Sequence, residues 1–129
     1  MSNEIAREFF LDKNKSCSES VFLSADKIYG LNASDDCLKA AGAFSGGIGG
    51  CERICGAAAG AICALGLKYS TGDAHTSPEM REKCAGFMNE FMEFYGSDLC
   101  KVIKPIHRKA DVRCLSVVKT ALDILEKYM

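Results

Sequence analysis

Several features that would point to a familiar class of protein are missing from this sequence of 129 residues. The formal net charge is only −1 and no block of like charges stands out, so nothing electrostatic favours nucleic acid or an anionic membrane as a partner. The main apolar run, Ile54 to Leu67, has fourteen residues, whereas a membrane-spanning helix needs about 20. We therefore expect no membrane insertion.

The best-known metal and redox motifs are missing as well. No C-x2-C pair occurs, which excludes a zinc ribbon, a thioredoxin-like motif and a C-x-x-C-H site for covalent haem. The stretch SGGIGG at 45–50 lacks both the G-x-G-x-x-G spacing and a Lys-Ser/Thr pair. We therefore interpret this stretch as a tight connection between two helices and not as a phosphate-binding loop.

Strand patterns are missing too, because no segment alternates polar and apolar residues over the length of a strand. Apolar residues recur instead at helical spacing, which predicts an all-α fold: one domain over 1–129, with about six helices in a bundle. The central helix is rich in glycine and alanine. We expect this helix to begin with Cys51 and Cys55, which would share one helix face. Its small residues would let neighbouring backbones approach closely.

Cysteine is the residue that this sequence has in excess. The N-terminal stretch MSNEIAREFFLDKNK mixes acidic and basic residues and lacks the apolar core of a secretory signal, so we expect a cytoplasmic location. Eight cysteines in a cytosolic chain of this size favour redox or metal roles over a framework of disulfides.

Five of these cysteines fall in the first turn of a predicted helix. Each follows a predicted cap: Cys17 after Ser16, Cys37 after Ser34, Cys51 after Gly50, Cys100 after Ser97 and Cys114 after Asp111. A helix N-terminus has unpaired N–H groups and a partial positive charge, which favour the thiolate over the thiol. The thiolate is both the nucleophile and the metal ligand, so the placement indicates chemistry at sulfur.

One part of the pattern resembles a known family. The segment CGAAAGA at 55–61, which follows GGIGG at 46–50, is similar to the CGAxxG signature of a family of small proteins described as redox-active and named C_GCAxxG_C_C. Cys17, Cys100 and Cys114 fit the outer cysteines of that pattern in order. The resemblance implies a helical fold and redox or metal chemistry at four cysteines. It also implies an association with transporter systems, which hints at a partner but names none.

The first hypothesis for function is a thiol-based redox protein. Cys17, Cys55, Cys100 and Cys114 would gather at helix N-termini, beside the small-residue side of the central helix, and would interconvert with one or two disulfides. An unidentified redox partner protein would exchange the electrons. We expect Cys55 to be the most reactive sulfur because it belongs to the central motif. Whether the protein is an enzyme stays open.

Two alternatives come from other classes. The same four cysteines would bind an iron–sulfur cluster or a soft transition metal, with Cys51 and His107 as weaker candidate ligands. In the second alternative the protein is a helical interaction module whose cysteines only pack. Cys37, Cys63 and Cys84 are interpreted as packing residues, because free cysteine is among the most buried residue types.

Overall fold

The structure, a computed structural model, describes residues 2–129 and contains seven α-helices in that range. Their bounds are α1 Ser2–Arg7, α2 Cys17–Tyr29, α3 Asp35–Gly42, α4 Gly56–Tyr69, α5 Pro78–Tyr95, α6 Cys100–His107 and α7 Leu115–Glu126. A π-helical turn follows α1, and one 3-10 turn precedes α5. The described residues contain no β-strand, so the predicted all-α class is confirmed, with one helix more than expected.

Local chemistry explains several helix ends. Helix α2 begins with a capping box in which the Ser16 hydroxyl accepts from the Glu19 N–H and the Glu19 carboxylate accepts from the Ser16 N–H. Gly30 and Gly96 end α2 and α5 in the left-handed conformation, with φ of 62° and 71°. Pro78 is the first residue of α5, where its missing N–H costs no hydrogen bond.

Helix α4 lies at the centre of the fold and packs against α2, α3, α5 and α7. Its residues from Gly56 to Ala61 are all buried, as are Ala64 and Leu65. These side chains are small, so larger groups from the surrounding helices fill the core, among them the fully buried Phe22, Phe87 and Phe91. None of the helices within residues 2–129 has the length and apolar character needed to cross a membrane.

The predicted start of the central helix is wrong. Helix α4 begins at Gly56 with Cys55 as its N-cap, and the preceding residues 43–55 form an irregular loop. Gly46, Gly47, Gly49 and Gly50 all have positive φ in this loop, a conformation that glycine adopts without strain and that breaks a right-handed helix. Cys51 therefore lies exposed in the loop and shares no helix face with Cys55, and the predicted tight connection is a long one.

Candidate functional site

Four cysteines line one small cavity of about 30 Å³. They are Cys17, Cys55, Cys100 and Cys114, and we call them the four-cysteine cluster. Each lies at the start of a different helix: two are the first residues of α2 and α6, and two are the N-cap residues of α4 and α7. The structure thus brings together the four residues that the sequence pattern selected, although Cys114 precedes its helix instead of lying in the first turn.

Two glycines of α4 bring Cys17 close to Cys55. A Cβ atom on Gly60 would lie 2.4 Å from the backbone oxygen of Ser18, and one on Gly56 would lie 3.0 Å from the oxygen of Phe44 and 3.6 Å from the Cβ of Cys17. Only glycine fits at Gly60 without moving the start of α2. The two helix N-termini therefore touch backbone to backbone, and the cysteine at each start comes within the same cavity.

Backbone pairing holds Cys100 against the residues before α4. The N–H of Cys55 donates to the oxygen of Asp98 at 2.7 Å, and the N–H of Cys100 donates to the oxygen of Arg53 at 2.6 Å. Gly47 lies beneath this pair, since a Cβ there would lie 2.9 Å from the Cβ of Cys100 and 2.7 Å from the nitrogen of Arg53. The glycine-rich loop is thus shaped to let Cys100 approach the cavity.

Arg113 connects the loop before α7 to the segment before α2 through hydrogen bonds of its guanidinium group. The backbone N–H groups of Lys109 and Arg113 donate to each other's oxygens at 2.9 and 2.7 Å, which closes the loop between α6 and α7. The Arg113 guanidinium donates to the oxygen of Phe10 at 2.6 Å and to Oδ1 of Asn14 at 3.0 Å, and it also lies 4.5 Å from the centre of the Phe10 ring. Cys114, the next residue, is thereby held beside Cys17.

Cys114 and Cys17 form an electrostatically coupled pair. The Cys17 thiol hydrogen bonds to the Cys114 sulfur, and with the positive charges of Arg108, Lys104 and Arg113 this lowers the pKa of Cys114 to about 7, against the effect of burial. The same hydrogen bond, together with burial, raises the pKa of Cys17. The surroundings therefore favour the thiolate at Cys114 and the thiol at Cys17.

The other two members of the cluster favour the thiol. Cys55 is 5% exposed, and burial raises its pKa to about 11 although the backbone N–H groups of Ala58 and Ala57 oppose the shift. Burial also raises the pKa of Cys100, and the charge of Lys104 opposes it. Within one cavity, the surroundings thus favour the thiolate at Cys114 and the thiol at the other three cysteines.

A cleft of about 190 Å³ adjoins the cavity and shares three of its cysteines, Cys17, Cys100 and Cys114. Three cationic side chains line this cleft, and we call it the basic cleft: Lys104, Arg108 and Arg113. Lys104 pairs with Glu52 at 3.0 Å. The Arg108 side chain makes no hydrogen bond or ion pair with any other residue of the described chain.

The remaining candidates lie elsewhere. Cys51 lies exposed in the loop before α4. The ring of His107 packs edge-to-face with that of Tyr95, with the ring centroids 4.9 Å apart. Neither residue lines the cavity. Cys63 and Cys84 line an apolar groove of about 360 Å³, and Cys37 and Cys63 line a depression beside it. We call Cys37, Cys63 and Cys84 the second cysteine group. Burial raises the pKa of both Cys63 and Cys84.

All eight cysteines are free thiols. Across residues 2–129, no group of three or more His, Cys, Asp or Glu side chains is arranged to hold a metal ion. The four-cysteine cluster as it lies is therefore a set of neighbouring thiols and not a preformed coordination site.

Sequence reasoning missed the cations of the site. Lys104, Arg108 and Arg113 lie between Cys100 and Cys114 in the chain, yet none of them was predicted to belong to the site. The signal was present, since a cluster of basic residues next to a cysteine lowers the pKa of that cysteine when both reach the same place in the fold.

The comparison with known proteins covers the part of the chain that contains the four-cysteine cluster. A family described as "Putative redox-active protein (C_GCAxxG_C_C)" matches residues 15–128, a span that includes all four members of the cluster. A relative from Archaeoglobus fulgidus, described as an uncharacterized protein, is 29% identical over 127 residues, which cover 88% of this chain and 84% of the relative. No solved structure matches the chain.

Proposed function

The chain belongs to the C_GCAxxG_C_C family of redox-active proteins, and from this premise we propose that it carries electrons by thiol–disulfide exchange, with Cys114 as the attacking sulfur and Cys17 as the resolving one. One observation carries the proposal: Cys17 and Cys114 both line the four-cysteine cavity and the basic cleft, so the two side chains lie together where the cavity meets the cleft. This arrangement gives an activated thiolate with a second thiol in reach.

The chemistry needs two steps. The Cys114 thiolate attacks one sulfur of an oxidised disulfide substrate, which forms a mixed disulfide and releases one thiolate. The Cys17 thiol then loses its proton and attacks the Cys114 sulfur, which releases the second thiolate and leaves a Cys17–Cys114 disulfide. The protein loses two electrons and two protons, and the substrate becomes two thiols. The reverse sequence reduces the protein.

Cys114 is favoured over Cys55 for the attack, which changes the expectation drawn from the central motif. An attacking thiol works best when its pKa is near the ambient pH, because it is then substantially ionised while its thiolate stays nucleophilic. The pKa of Cys114 is about 7 and that of Cys55 is about 11. Cys55 is also almost fully buried, so a substrate reaches it only through its neighbours.

Cys55 and Cys100 supply a second pair in the same proposal. Their backbones are held together by the pairing between the residues before α4 and α6, and both sulfurs face the cavity that holds Cys17 and Cys114. A Cys17–Cys114 disulfide therefore lies beside two further thiols. Thiol–disulfide exchange with them would form a Cys55–Cys100 disulfide and return Cys17 and Cys114 to thiols. One disulfide accounts for two electrons and two disulfides for four.

The test starts from full-length protein purified without oxygen, with metal, acid-labile sulfide and free thiols counted. We expect no metal, and a loss of thiols in pairs under mild oxidation, with a Cys17–Cys114 cross-linked peptide as the first product found by mass spectrometry. Iron with matching sulfide and few titratable thiols would instead support the cluster-binding alternative. If all eight thiols oxidise slowly and do not disappear in pairs, the helical interaction module is the hypothesis that remains.

A further inference from the structure

The basic cleft points to the kind of molecule that meets the reactive sulfur. Resting on the proposed thiol–disulfide function, we propose that the cleft selects small, negatively charged disulfides, such as those bearing carboxylates, as oxidants of Cys114. The inference rests on the size of the cleft, on the charge that lines it and on the position of the sulfur within it.

The size of the cleft limits what can enter. Sites for drug-sized ligands enclose about 300–1,000 Å³, whereas this cleft has about 190 Å³. Its volume therefore matches a compact molecule of few atoms. Three of the four cluster cysteines line it, so a molecule that fills the cleft contacts sulfur directly.

The charge of the cleft has one sign. Arg113 donates to Phe10 and Asn14, which are neutral oxygen acceptors, so its positive charge is not cancelled. Arg108 has no hydrogen-bonding or ionic partner among the described residues, and Lys104 alone is paired, with the half-exposed Glu52. The two guanidinium charges thus outnumber the single negative charge of the Cys114 thiolate in the cleft, and guanidinium groups bind carboxylates in a two-pronged geometry.

Binding of an anionic disulfide also fits the reaction. The carboxylates of R–S–S–R lie at the cations while the Cys114 thiolate attacks the nearer sulfur, forms Cys114–S–S–R and releases RS⁻. Cys17 then displaces the second RS⁻ and completes the Cys17–Cys114 disulfide. One released thiolate takes up the proton of Cys17, and the other takes one from solvent, which replaces the proton that Cys114 lost on ionising; two electrons pass from the protein to the disulfide. The cations also stabilise the negative charge that builds on the leaving sulfur.

Three disulfides of matched size test the proposal on the full chain. They are 3,3′-dithiodipropionate with two negative charges, bis(2-hydroxyethyl) disulfide with none, and cystamine with two positive charges. For each disulfide, the rate at which it produces the Cys17–Cys114 bond is measured. That rate is divided by the rate at which the same disulfide reacts with free 2-mercaptoethanol, which removes differences in intrinsic reactivity. We expect the dianion to be preferred over the dication by about 10-fold or more at low ionic strength, and the preference to shrink in 1 M salt, where the screening length is about 3 Å.

Arg108→Gln provides the decisive variant, because this side chain lines the cleft and holds no other part of the fold together. We expect the ratio of anionic to neutral rates to fall several-fold in Arg108→Gln. Arg81→Gln is the matched control, since it removes the same charge from an exposed position on α5 that does not line the cleft. Using the ratio cancels any change in the reactivity of Cys114 itself.

Failures of the two proposals give different results. Two results would overturn the selection by the cleft and leave the thiol–disulfide function standing. One is equal normalised rates for the three disulfides, and the other is an anion preference as large in Arg108→Gln as in the unmodified chain. If none of the three disulfides yields the Cys17–Cys114 bond, the function proposed for that pair is itself wrong.

Discussion

The four-cysteine cluster and the second cysteine group contain the same side chain in two different surroundings. Cluster cysteines lie at the starts of four helices, beside a cleft with three cations. In the second group, Cys63 and Cys84 lie within helices on an apolar groove, and the charged neighbours acting on Cys63 are only other cysteines, Cys84 and Cys37. Burial raises the pKa of Cys63 and of Cys84, whereas in the cluster the pKa of Cys114 falls to about 7.

The contrast teaches that residue type and burial do not by themselves select a reactive sulfur. Cys114 and Cys63 are both partly buried, and burial raises the pKa of each. The difference is that a thiol donor and three cations act on Cys114, which more than offsets the cost of burying its charge, while nothing positive acts on Cys63. The following predictions test this distinction, starting with the largest effect.

Removing the sulfur of Cys114 is expected to have the largest effect. In Cys114→Ser, the fast phase of alkylation by iodoacetamide at pH 7 should disappear, leaving thiols that react several-fold more slowly. A thiol with an ordinary pKa is only about 3% ionised at that pH, although its stronger thiolate makes up part of the difference. Cys84→Ser is the matched change in the second group and should keep the fast phase. A fast phase retained in Cys114→Ser and lost in Cys55→Ser would restore Cys55 as the reactive sulfur.

A pair of glycines in α4 tests how the cluster is assembled. Gly60→Ala should lower the free energy of unfolding by about 1–3 kcal/mol, because its new Cβ would lie 2.4 Å from the backbone oxygen of Ser18 and must push α2 away. Gly66→Ala, in the same helix with no atom within 4 Å of its new Cβ, should raise that free energy by about 0.5–1 kcal/mol. Denaturant titration measures both, and equal effects would mean that α2 and α4 do not meet at Gly60.

The coupling between Cys17 and Cys114 predicts a pH dependence. The thiolate is the nucleophile, so the alkylation rate of Cys114 should rise with pH through a midpoint near 7, the pKa that its surroundings give it. Cys17→Ala removes the hydrogen bond that lowers this pKa, so the midpoint should move to higher pH and the rate at pH 7 should fall about 5-fold. An unchanged midpoint would show that the cations alone set the pKa of Cys114.

The smallest effect is expected in the second cysteine group. Cys63→Ala should cost about 1 kcal/mol of stability, since it removes one partly buried sulfur from an apolar groove. The number of thiols lost in pairs on oxidation should stay the same as in the unmodified chain. A missing redox couple in Cys63→Ala would contradict the assignment of this residue to packing.

Some parts of the fold followed from the sequence because they depend on neighbours along the chain. The capping box of Ser16 and Glu19 and the glycine stop at Gly30 each form within a few residues, so their signals are local. The loop 43–55 did not follow, because its Gly47 packs against Cys100, a residue far away in the chain: a Cβ on Gly47 would lie 2.9 Å from the Cβ of Cys100. Without that contact, the apolar run after Gly50 looked like one continuous helix.

The sequence by itself determined the helical class, the starts of α2 and α3 and the four family cysteines near helix starts, because hydrophobic period, caps and a family pattern can be seen in the order of residues. Only the tertiary structure decided which sulfur carries the charge. The pKa of Cys114 depends on a hydrogen bond from Cys17, near the other end of the chain, and on Lys104 and Arg108 across a cleft that exists only after folding. Electrostatic effects act through space, and distance in space is what the order of residues does not record.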